Sequence, residues 1–530
     1  MNHSDSYLRS GGLWALIEAR AKASPDALFT VDENDRRSTF GEFHDAALRC
    51  AAGLRDRGIE AGSLVSWMLP TTWEGMVLVA GLARLGATQN PILPIYRHKE
   101  VDFITRQANT DLLVIPGVWR NFDYGAMAAD IARDRGKLET LTLDGSFPEG
   151  DPSSLPPAPP EYDDESAPVR WLFYSSGTTA DPKGARHTDL TLIAAATGMS
   201  EVLDLKEDDR VAMVFPFTHV GGIVWLFSGM MAGCSFIVVP AFDPKTTVDV
   251  LARNDVTQAT AGTVFHQAYL AAQRKAREEG NSAPLFPNVR SFPGGGAPKP
   301  PQLHFDLKAE MGGAGIISGY GMTECPILVM NSVHDPDDKL AHTEGRPCPE
   351  GVQVRVVKSD ESIAAANEEG EFRVKAPQLC KGYLDESLNE AAFDQNGFFR
   401  TGDLGYLDAE GFAVITGRLK DVIIRKGENI SAKEVEDLLY EHERIADVAV
   451  IGLPDPDTGE RACAVLCPAE AASPISLQEI GSYLREKGLT TQKIPEQLEI
   501  VDAIPRNATG KILKHELRKK FENTSRPARA

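Results

Sequence analysis

The chain has 530 residues, with 55 Lys and Arg against 76 Asp and Glu, and a formal net charge of −21 at pH 7. This length allows more than one domain and a large buried core. The acidity argues against non-specific binding to nucleic acid or to an anionic membrane surface, because both carry negative charge. Anionic ligands can still bind where backbone amides and basic side chains are concentrated.

The chain ends and the cysteines predict a cytoplasmic protein. Residues 1–5 lack the basic and apolar segments of a signal peptide, and no apolar run reaches membrane-spanning length. The last residues carry no peroxisomal or ER address. The seven cysteines form no C-x-x-C pair, which favours free thiols in a reducing compartment over disulfides or zinc.

The first part of the chain alternates helix-like and strand-like segments. Apolar residues at helical spacing predict a helix near Leu13 and another from Phe40 to about Arg57. A mostly apolar helix is predicted over 74–85, ending at Gly86. Strands are predicted at 27–31, 64–69, 112–115, 211–215, 235–239 and 316–317. This alternation predicts a parallel sheet with helices on both faces.

The pattern changes after about Thr343. Short alternating segments at 352–356 and 371–374, with a turn at 395–397, predict an antiparallel β region. From Gly417 onward, short strands and amphipathic helices are compatible with a small separate α+β domain. A charged turn at 417–421 joins the two parts, which suits a hinge better than a flexible tether.

One stretch, residues 174–184 (YSSGTTADPKG), concentrates hydroxyl, glycine and lysine residues. A strand is predicted before it, and a helix from about Leu190 after it. Backbone N–H groups in such a loop, together with hydroxyls and Lys183, suit a phosphate. Pro182 stands where the Walker A motif needs glycine, so that motif is excluded. A flexible surface turn is the alternative, because the same residue types form turns.

Further stretches place glycine, charge and hydroxyl groups at predicted strand ends, where ligands bind in open α/β sheets. Each is a weak signal alone, and together in this order they are strong. They are 216–222 (PFTHVGG), 294–298 (GGGAP), 319–324 (GYGMTE), 400–405 (RTGDLG) with 417–421 (GRLKD), and 505–511 (PRNATGK).

This ordered set resembles the adenylate-forming superfamily, which contains acyl- and aryl-CoA synthetases, firefly luciferase and peptide-synthetase adenylation domains. The likeness extends over nearly the whole chain, from the helix near Phe40 to Lys511. It implies an α/β fold, with a large N-terminal AMP-binding domain of βαβ sheets and a β-barrel-like subdomain over residues 1–419. A small mobile α+β C-terminal lid domain would follow over residues 420–530, hinged at Lys420.

The function implied by the resemblance is that of an acyl-CoA synthetase of fatty acid and lipid metabolism. A carboxylic acid and ATP would give an acyl-adenylate and pyrophosphate, and coenzyme A would then give the acyl-CoA and AMP. The expected cofactors and substrates are ATP, Mg²⁺, coenzyme A and a small carboxylic acid, without nucleic acid or an integral membrane segment. A homodimer is compatible with the same resemblance.

The resemblance assigns most of the motifs to the nucleotide. The loop within residues 174–184 would clamp the β- and γ-phosphates of ATP. Its contacts would come from Ser175, Ser176, Gly177, Thr178, Thr179 and Lys183. The adenine slot and the α-phosphate would be contacted by Gly295, Gly296, Ala297, Gly319, Tyr320, Gly321, Met322 and Thr323. Asp403 would accept the ribose hydroxyls, with Arg418 as their second partner. Ala180 stands where the family usually has glycine, which would change the mobility of the loop.

The residues implied for catalysis are Lys511, Glu324 and His219. Glu324 resembles the carboxylate that holds Mg²⁺, with Thr178 as a second metal contact; magnesium usually binds one or two carboxylates and substrate phosphates. Lys511 resembles the lysine that bridges the substrate carboxylate and the α-phosphate. One such charge contact near 4 Å is worth about 4 kcal/mol at an effective dielectric constant of about 20.

The resemblance assigns the remaining residues to the binding of coenzyme A and of the carboxylic acid. The turn of Lys426, Gly427 and Glu428 would line the tunnel for coenzyme A, and His219 would gate or position at its mouth. The acyl pocket would be formed by His219, Gly222, Ile223, Val264, Gly294 and Cys325. Most of these are small or apolar, and no Lys or Arg is placed for a second carboxylate. An apolar monocarboxylate is therefore expected: a medium- or long-chain fatty, alicyclic, steroidal or aryl acid.

Three other functions are alternatives to that of an acyl-CoA synthetase. A luciferase-like oxygenase shares all of these motifs, although a peroxisomal tail is missing. A carrier-loading adenylating enzyme of the peptide-synthetase type usually has a carrier domain downstream, and the chain stops shortly after Lys511. A catalytically silent binding relative would be expected to lose Lys511, Glu324 or Asp403, and all three are present.

Overall fold

The computed structural model describes residues 7–175, 182–296, 299–425, 428–456, 458–469, 475–506 and 511–522. Within these ranges the chain forms α/β sheets, then an antiparallel β region, then a smaller α+β unit. The predicted fold class is confirmed. No helix in this part of the chain combines the length and the apolar character needed to span a membrane.

The first sheet contains the strand that precedes the predicted phosphate loop. The elements of this region are α1 (Leu13–Ala23), β1 (Leu28–Asp32), β2 (Arg37–Thr39), α2 (Phe40–Arg55), β3 (Leu64–Trp67), α3 (Trp73–Leu85), β4 (Thr88–Pro91), α4 (His98–Gln107), β5 (Leu112–Pro116), β6 (Val118–Trp119), β7 (Phe122–Asp123), α5 (Tyr124–Arg133), β8 (Glu139–Leu143), β9 (Trp171–Ser175), β10 (Lys183–His187) and α6 (Asp189–Leu203). The strand order is β10-β9-β4-β3-β5-β8. The pairs from β9 to β8 are parallel, whereas β10 is antiparallel to β9.

The β10 strand was not predicted from the sequence. Ser175 and Lys183, which flank the loop, face each other across the antiparallel ladder of β9 and β10. The helix expected after the loop is α6, and it begins only after this second strand. The loop therefore starts and ends on paired strands rather than leading directly into a helix.

A second set of strands forms two sheets that meet side by side. The elements are β11 (Arg210–Met213), α7 (Val220–Ala232), β12 (Ser235–Val238), α8 (Thr247–Arg253), α9 (Thr263–Glu278), β13 (Phe292–Gly295), α10 (Pro301–Met311), β14 (Ile316–Met322), β15 (Cys325–Met330), α11 (Asp337–His342) and β16 (Arg346–Pro347). The orders are β11-β12-β1-β2 and β13-β14-β15-β16. Gln258 makes parallel bridges to Val211 of β11 and to Ser291 beside β13, which joins the two sheets.

The antiparallel region predicted after Thr343 is present. Its elements are β17 (Gln353–Val357), β18 (Gly370–Lys375), α12 (Asn389–Ala392), β19 (Phe399–Leu407) and β20 (Ala413–Arg418), with the strand order β17-β18-β19-β20. The register of β19 and β20 places Asp403 opposite Arg418. Two residues that are distant in sequence are thereby brought together by backbone pairing.

The C-terminal unit has its own apolar core. Its elements are β21 (Ile423–Arg425), β22 (Glu428–Ile430), α13 (Ala432–Tyr440), β23 (Ile445–Asp455), β24 (Gly459–Pro468), α14 (Leu477–Glu486), β25 (Gln497–Ile500) and α15 (Lys514–Phe521). The strand order is β22-β21-β24-β23, with β25 parallel to β24. Fully buried Val435, Leu439, Val450 and Leu484 belong to its core. The boundary at residues 419 and 420 remains a prediction, and Lys420 lies in a short 3₁₀ turn between β20 and β21.

Sequence signals at helix ends account for several boundaries. The Thr39 side chain accepts from the Glu42 amide, and the Glu42 carboxylate accepts from the Thr39 amide, which forms a capping box at the start of α2. Gly86 ends α3 with φ +70°, a left-handed conformation that glycine adopts without strain. The end of α3 confirms the prediction made from Gly86, whereas α2 ends at Arg55, two residues before the predicted end.

One buried carboxylate holds the seam between the two sheets. Asp209, just before β11, is 1% exposed and accepts from Thr257 Oγ1 at 2.5 Å and from Gln258 Nε2 at 3.3 Å. The Arg290 guanidinium donates to its other oxygen and, at 3.0 Å, to the Asp204 carbonyl. A buried ion pair is costly to break from one side, because the remaining charge stays desolvated.

We expect Asp209→Ala to lower the free energy of unfolding by about 1–3 kcal/mol, because Thr257 and Arg290 would lose a buried acceptor. Urea denaturation followed by tryptophan fluorescence measures this change. Asp130→Ala is the control, since it removes an exposed ion pair with Arg133 on α5 and should change stability little. Equal and small losses in both variants would contradict the role given to Asp209.

Candidate active site

A cleft of about 330 Å³ lies between β14, β19 and β20 on one side and α13 with the segment before α15 on the other. It brings together residues from four of the sequence motifs. The predicted nucleotide residues that line it are Gly296, Gly319, Tyr320, Gly321, Asp403, Arg418 and Lys511. The nucleotide motifs that are separated along the chain thus converge at one place.

The centre of this cleft is the carboxylate of Asp403, which is 2% exposed. Tyr320 donates its hydroxyl to Oδ2 at 2.6 Å, and Arg418 Nε lies 2.8 Å from Oδ1. Burial, followed by the charge of Asp403, raises the pKa of Tyr320 well above its usual value, so the phenol stays protonated as a donor. Asp403 is therefore held in one orientation by partners on strands of two different sheets, β14 and β20.

Lys511 reaches this cleft from the C-terminal unit. Burial, followed by the positive charge of Arg418, lowers the pKa of Lys511 to about 8, while Asp403 acts in the opposite direction. Burial and Arg418 also lower the pKa of Lys420. Arg418 and Lys511 both line the cleft, and an incoming anion would relieve the repulsion between their charges.

Glycines build the wall beside Tyr320. Gly295 and Gly319 are partners in the ladder of β13 and β14, and a Cβ added to Gly295 would lie 2.3 Å from the Gly319 carbonyl oxygen. A Cβ on Gly321 would lie 2.6 Å from the Ile327 amide nitrogen. Glycine is required at both positions because the neighbouring strand approaches too closely for a side chain. Met322 ends β14 and packs against the apolar cluster of the antiparallel region.

Tyr383 contacts both Glu324, the carboxylate predicted to bind metal, and Lys183, the lysine predicted to bind phosphate. Glu324 is 9% exposed, and its Oε1 accepts from the Tyr383 hydroxyl at 2.7 Å. Burial and the Glu324 charge raise the pKa of Tyr383, which keeps this hydroxyl a donor. Lys183 Nζ lies 5.4 Å from the centre of the Tyr383 ring, within the range of a cation–π contact. The two predicted phosphate-side residues are thereby linked.

His187 connects the antiparallel pair of β9 and β10 to the backbone of Thr323 through a hydrogen bond. This histidine ends β10, is fully buried, and has Nε2 at 2.9 Å from the Thr323 carbonyl oxygen. Burial lowers its pKa to about 4, so the ring is neutral at pH 7. Because a carbonyl only accepts, the single ring proton lies on Nε2. The hydrogen bond fixes the backbone immediately before Glu324.

His219 caps the helix α7. Its Nδ1 accepts from the Gly221 amide at 3.1 Å, and burial lowers its pKa to about 4. A Cβ on Gly222 would lie 2.7 Å from Phe217 Cα, so this glycine allows the turn to close onto the helix. Since Nδ1 is already engaged, the geometry favours a positioning role over that of a base.

The other predicted acyl-pocket residues do not pack together. Ile223 is fully buried in the large core around α2, α3 and α7, whereas Val264 packs against the core around α9 and α10. Cys325 is fully buried in the antiparallel region. The Gly294 Cα faces His266, whose Cε1 would lie 2.6 Å from an added Cβ. The acyl pocket stays a prediction.

Several predicted residues lie outside the described part of the chain. They are Ser176, Gly177, Thr178, Thr179, Ala297, Lys426 and Gly427. Glu428, the third residue predicted for coenzyme A, is the first residue of β22. Within the described ranges, no cluster of three or more His, Cys, Asp or Glu side chains could hold a metal ion.

Several residues near the site were not predicted from the sequence. Tyr383 and Glu344 have no motif around them, and their partners lie 59 and 26 residues away. His187 lies three residues after residues 174–184 and directly before Thr188, the N-cap of α6. Its position between the loop and a helix start is the one sequence signal that marks it. Glu369 and Lys433 line the cleft without any sequence signal that separates them from surface charges.

Two models of known protein families match most of the chain. A model of the AMP-binding enzyme family matches residues 17–384, and the AMP-binding enzyme C-terminal domain matches residues 434–511. The chain belongs to the family of AMP-binding enzymes. This membership makes it an ATP-dependent ligase that acts on carboxylic acids.

Three proteins that are similar to this chain over nearly its whole length have different names. The chain is 31% identical to the long-chain-fatty-acid–CoA ligase FadD13 of Mycobacterium tuberculosis, over 96% of this chain and 98% of the relative. It is 31% identical to the salicyl-AMP ligase / salicyl-S-ArCP synthetase of the same organism, over 95% and 91%. The crystal structure of ATP-bound MatB from Rhodopseudomonas palustris matches with a TM-score of 0.85 and 26% identity, over 97% and 99%.

We expect His187→Ala to slow acyl-adenylate formation about tenfold or more, because the Thr323 carbonyl would lose its buried donor. His187→Gln should recover most of the rate, since its amide can donate to the same carbonyl. Pyrophosphate release in the presence of acid and ATP measures the rate. The unfolding temperature of each variant separates a loss of position from a loss of fold, and equal rates for the two variants at matched stability would contradict this role.

Proposed function

We propose that the protein is an acyl-CoA synthetase, which joins an apolar monocarboxylic acid to coenzyme A through an acyl-adenylate. The observation that carries the proposal is the position of Lys511 in one cleft with Asp403 and Arg418. A lysine beside the carboxylate proposed to bind the ribose suits the attack of a carboxylate on ATP. The family membership and the name of the FadD13 relative support the same reaction.

In the first step, Asp403 would accept the ribose hydroxyls and orient the α-phosphate towards Lys511. The acid and the phosphate are both negative, so the Lys511 charge between them lowers their repulsion as they approach. A carboxylate oxygen then forms a bond to the α-phosphorus while the bond to pyrophosphate breaks. The products are the acyl-adenylate and pyrophosphate.

Magnesium fits the buried carboxylate of Glu324, because this ion commonly takes one carboxylate together with substrate phosphates. When bound, it would neutralise charge on the departing pyrophosphate. Tyr383 fixes the Glu324 carboxylate through its hydroxyl, and Lys183 beside the same ring would add a second positive charge. These residues form the phosphate side of the proposed site.

In the second step, the coenzyme A thiol would attack the acyl carbonyl and AMP would leave with the electrons of the acyl–phosphate bond. The turn of Lys426, Gly427 and Glu428 is proposed to line the path of the thiol. The helix-capping position of His219 supports its proposed role at the mouth of the acyl pocket. The cytoplasm, where coenzyme A and ATP are available, is the proposed location.

Transfer to a carrier protein is the second candidate for the last step. It is favoured by the 31% identity to a relative named as both salicyl-AMP ligase and salicyl-S-ArCP synthetase. Both candidates share the adenylation step and differ only in the thiol. The same measurement can therefore decide between them.

The deciding experiment measures AMP release with a panel of fatty, alicyclic, steroidal and aryl acids, with and without coenzyme A. The proposal expects AMP and an acyl-CoA to form together for at least one acid, and only when coenzyme A is present. Pyrophosphate release without any response to coenzyme A would favour a carrier protein as acceptor. Binding of ATP without turnover of any acid would contradict both candidates.

The pH dependence of adenylation should follow Lys511. The pKa of Lys511 is lowered to about 8, so its charge is present below that pH and is lost as the pH rises through it. We expect the adenylation rate to fall between about pH 8 and pH 9.5 in the wild type. Lys511→Arg should be slower but should not fall over this range, because arginine stays charged.

Two further variants separate Lys511 from the other lysines. Lys511→Ala should lose at least about a hundredfold in adenylation, the scale expected for a preorganised charge, yet still transfer a supplied acyl-adenylate to coenzyme A. Lys519→Ala removes an exposed lysine of α15 and should leave both steps unchanged. Equal loss of the two half-reactions in Lys511→Ala would refute its assigned role.

A further inference from the structure

Glu344 lies on the wall of the cleft beside the predicted adenine slot. It lines the same cavity as Gly319, Tyr320 and Gly321. The Ser318 hydroxyl donates to Glu344 Oε2 at 2.7 Å. Ser318 and Tyr320 are two residues apart on β14, so both project from the same face, about 6.6 Å apart along the strand. The Glu344 carboxylate and the Tyr320 side chain therefore line the same wall of the cleft.

The backbone of Glu344 is fixed by the antiparallel region. Its amide donates to the Ala413 carbonyl at 2.8 Å, and the Ala413 amide donates to the Gly345 carbonyl at 2.7 Å. A Cβ on Gly345 would lie 1.9 Å from the Met330 carbonyl carbon, so the chain passes close against β15 at this point. The carboxylate can move only through its own side-chain torsions.

A buried lysine stands near this carboxylate. Lys299 donates to the Thr343 carbonyl at 3.1 Å, next to Glu344 in the chain. Burial lowers the pKa of Lys299, and the Glu344 charge opposes this change. Glu344 is thus presented to the cleft as an acceptor.

Ser318 occupies Oε2, and no other described residue donates to Oε1. An ionised carboxylate only accepts hydrogen bonds. Adenine carries an exocyclic amine, which donates, at the position where hypoxanthine and guanine carry a carbonyl oxygen, which accepts. A carboxylate beside that position attracts the first base and repels the other two.

We propose that Glu344 selects adenine nucleotides by accepting a hydrogen bond from the exocyclic amine of the base. This inference rests on the proposed nucleotide site but is independent of the acid and of coenzyme A. It makes Glu344 a specificity-determining residue, with Ser318 as the group that orients its carboxylate. No motif in the sequence marks this position.

The test is direct binding of AMP and IMP, which differ in the amine or carbonyl at this position of the base, measured by isothermal titration calorimetry without acid or coenzyme A. The wild type should bind AMP at least about tenfold more tightly than IMP, the scale of one hydrogen bond to a charged group. Glu344→Ala should bring the ratio close to one, mainly by weakening AMP. Glu344→Gln should strengthen IMP relative to the wild type, because its amide nitrogen can donate to the carbonyl.

Glu369→Ala is the matched control, since Glu369 is another carboxylate on the cleft wall and accepts from the Thr416 hydroxyl. It should keep the wild-type ratio of AMP to IMP affinity. A purely structural role of Glu344 would weaken both nucleotides equally and preserve the ratio, which would overturn the proposal. A wild type without preference would overturn it as well, and failure to bind either nucleotide would also contradict the nucleotide site itself. Normal nucleotide selection without thioester formation would instead count only against the proposed function.

Discussion

The arrangement of the cleft depends on one buried carboxylate. Asp403 is almost fully removed from solvent, and an ionised group in that position is costly unless it is paired and hydrogen-bonded. Its two partners come from β14 and β20, so the ends of these strands must stay together around β19. The same charge opposes the desolvation of Lys511. The nucleotide side and the C-terminal side of the cleft are therefore coupled through Asp403.

This coupling gives the proposed chemistry its physical basis. In a protein with a net charge of −21, burial and the nearby charge of Arg418 lower the pKa of both Lys420 and Lys511. An anion that enters between them relieves their repulsion and favours the charged form of Lys511. Binding of two anionic substrates and activation of the lysine are thus favoured by the same interaction. Glu344 adds selection of the base without adding charge at the reacting atoms.

Local sequence was enough to predict the alternation of strands and helices, the antiparallel region and the convergence of the glycine-rich motifs. It was not enough for β10, because Arg186 and His187 give this short strand a polar pattern beside a loop. Pairs such as Glu324 with Tyr383 depend on how distant segments pack, and neither residue type signals the other. Gly295 was assigned to the adenine slot from its motif, whereas the neighbour that requires a glycine there is Gly319 of the next strand. The acyl pocket was the least predictable part, since its apolar residues look like core residues.

Isotope labelling of the acid tests the acyl-adenylate route most directly. With both carboxylate oxygens of an accepted acid replaced by ¹⁸O, one labelled oxygen becomes the bridge to the α-phosphorus and stays with phosphorus when the thiol attacks the carbonyl. Mass spectrometry of the products should therefore find AMP that carries one ¹⁸O, together with an acyl thioester that retains the other. Unlabelled AMP, or label in phosphate accompanied by ADP, would contradict activation of the acid through an adenylate.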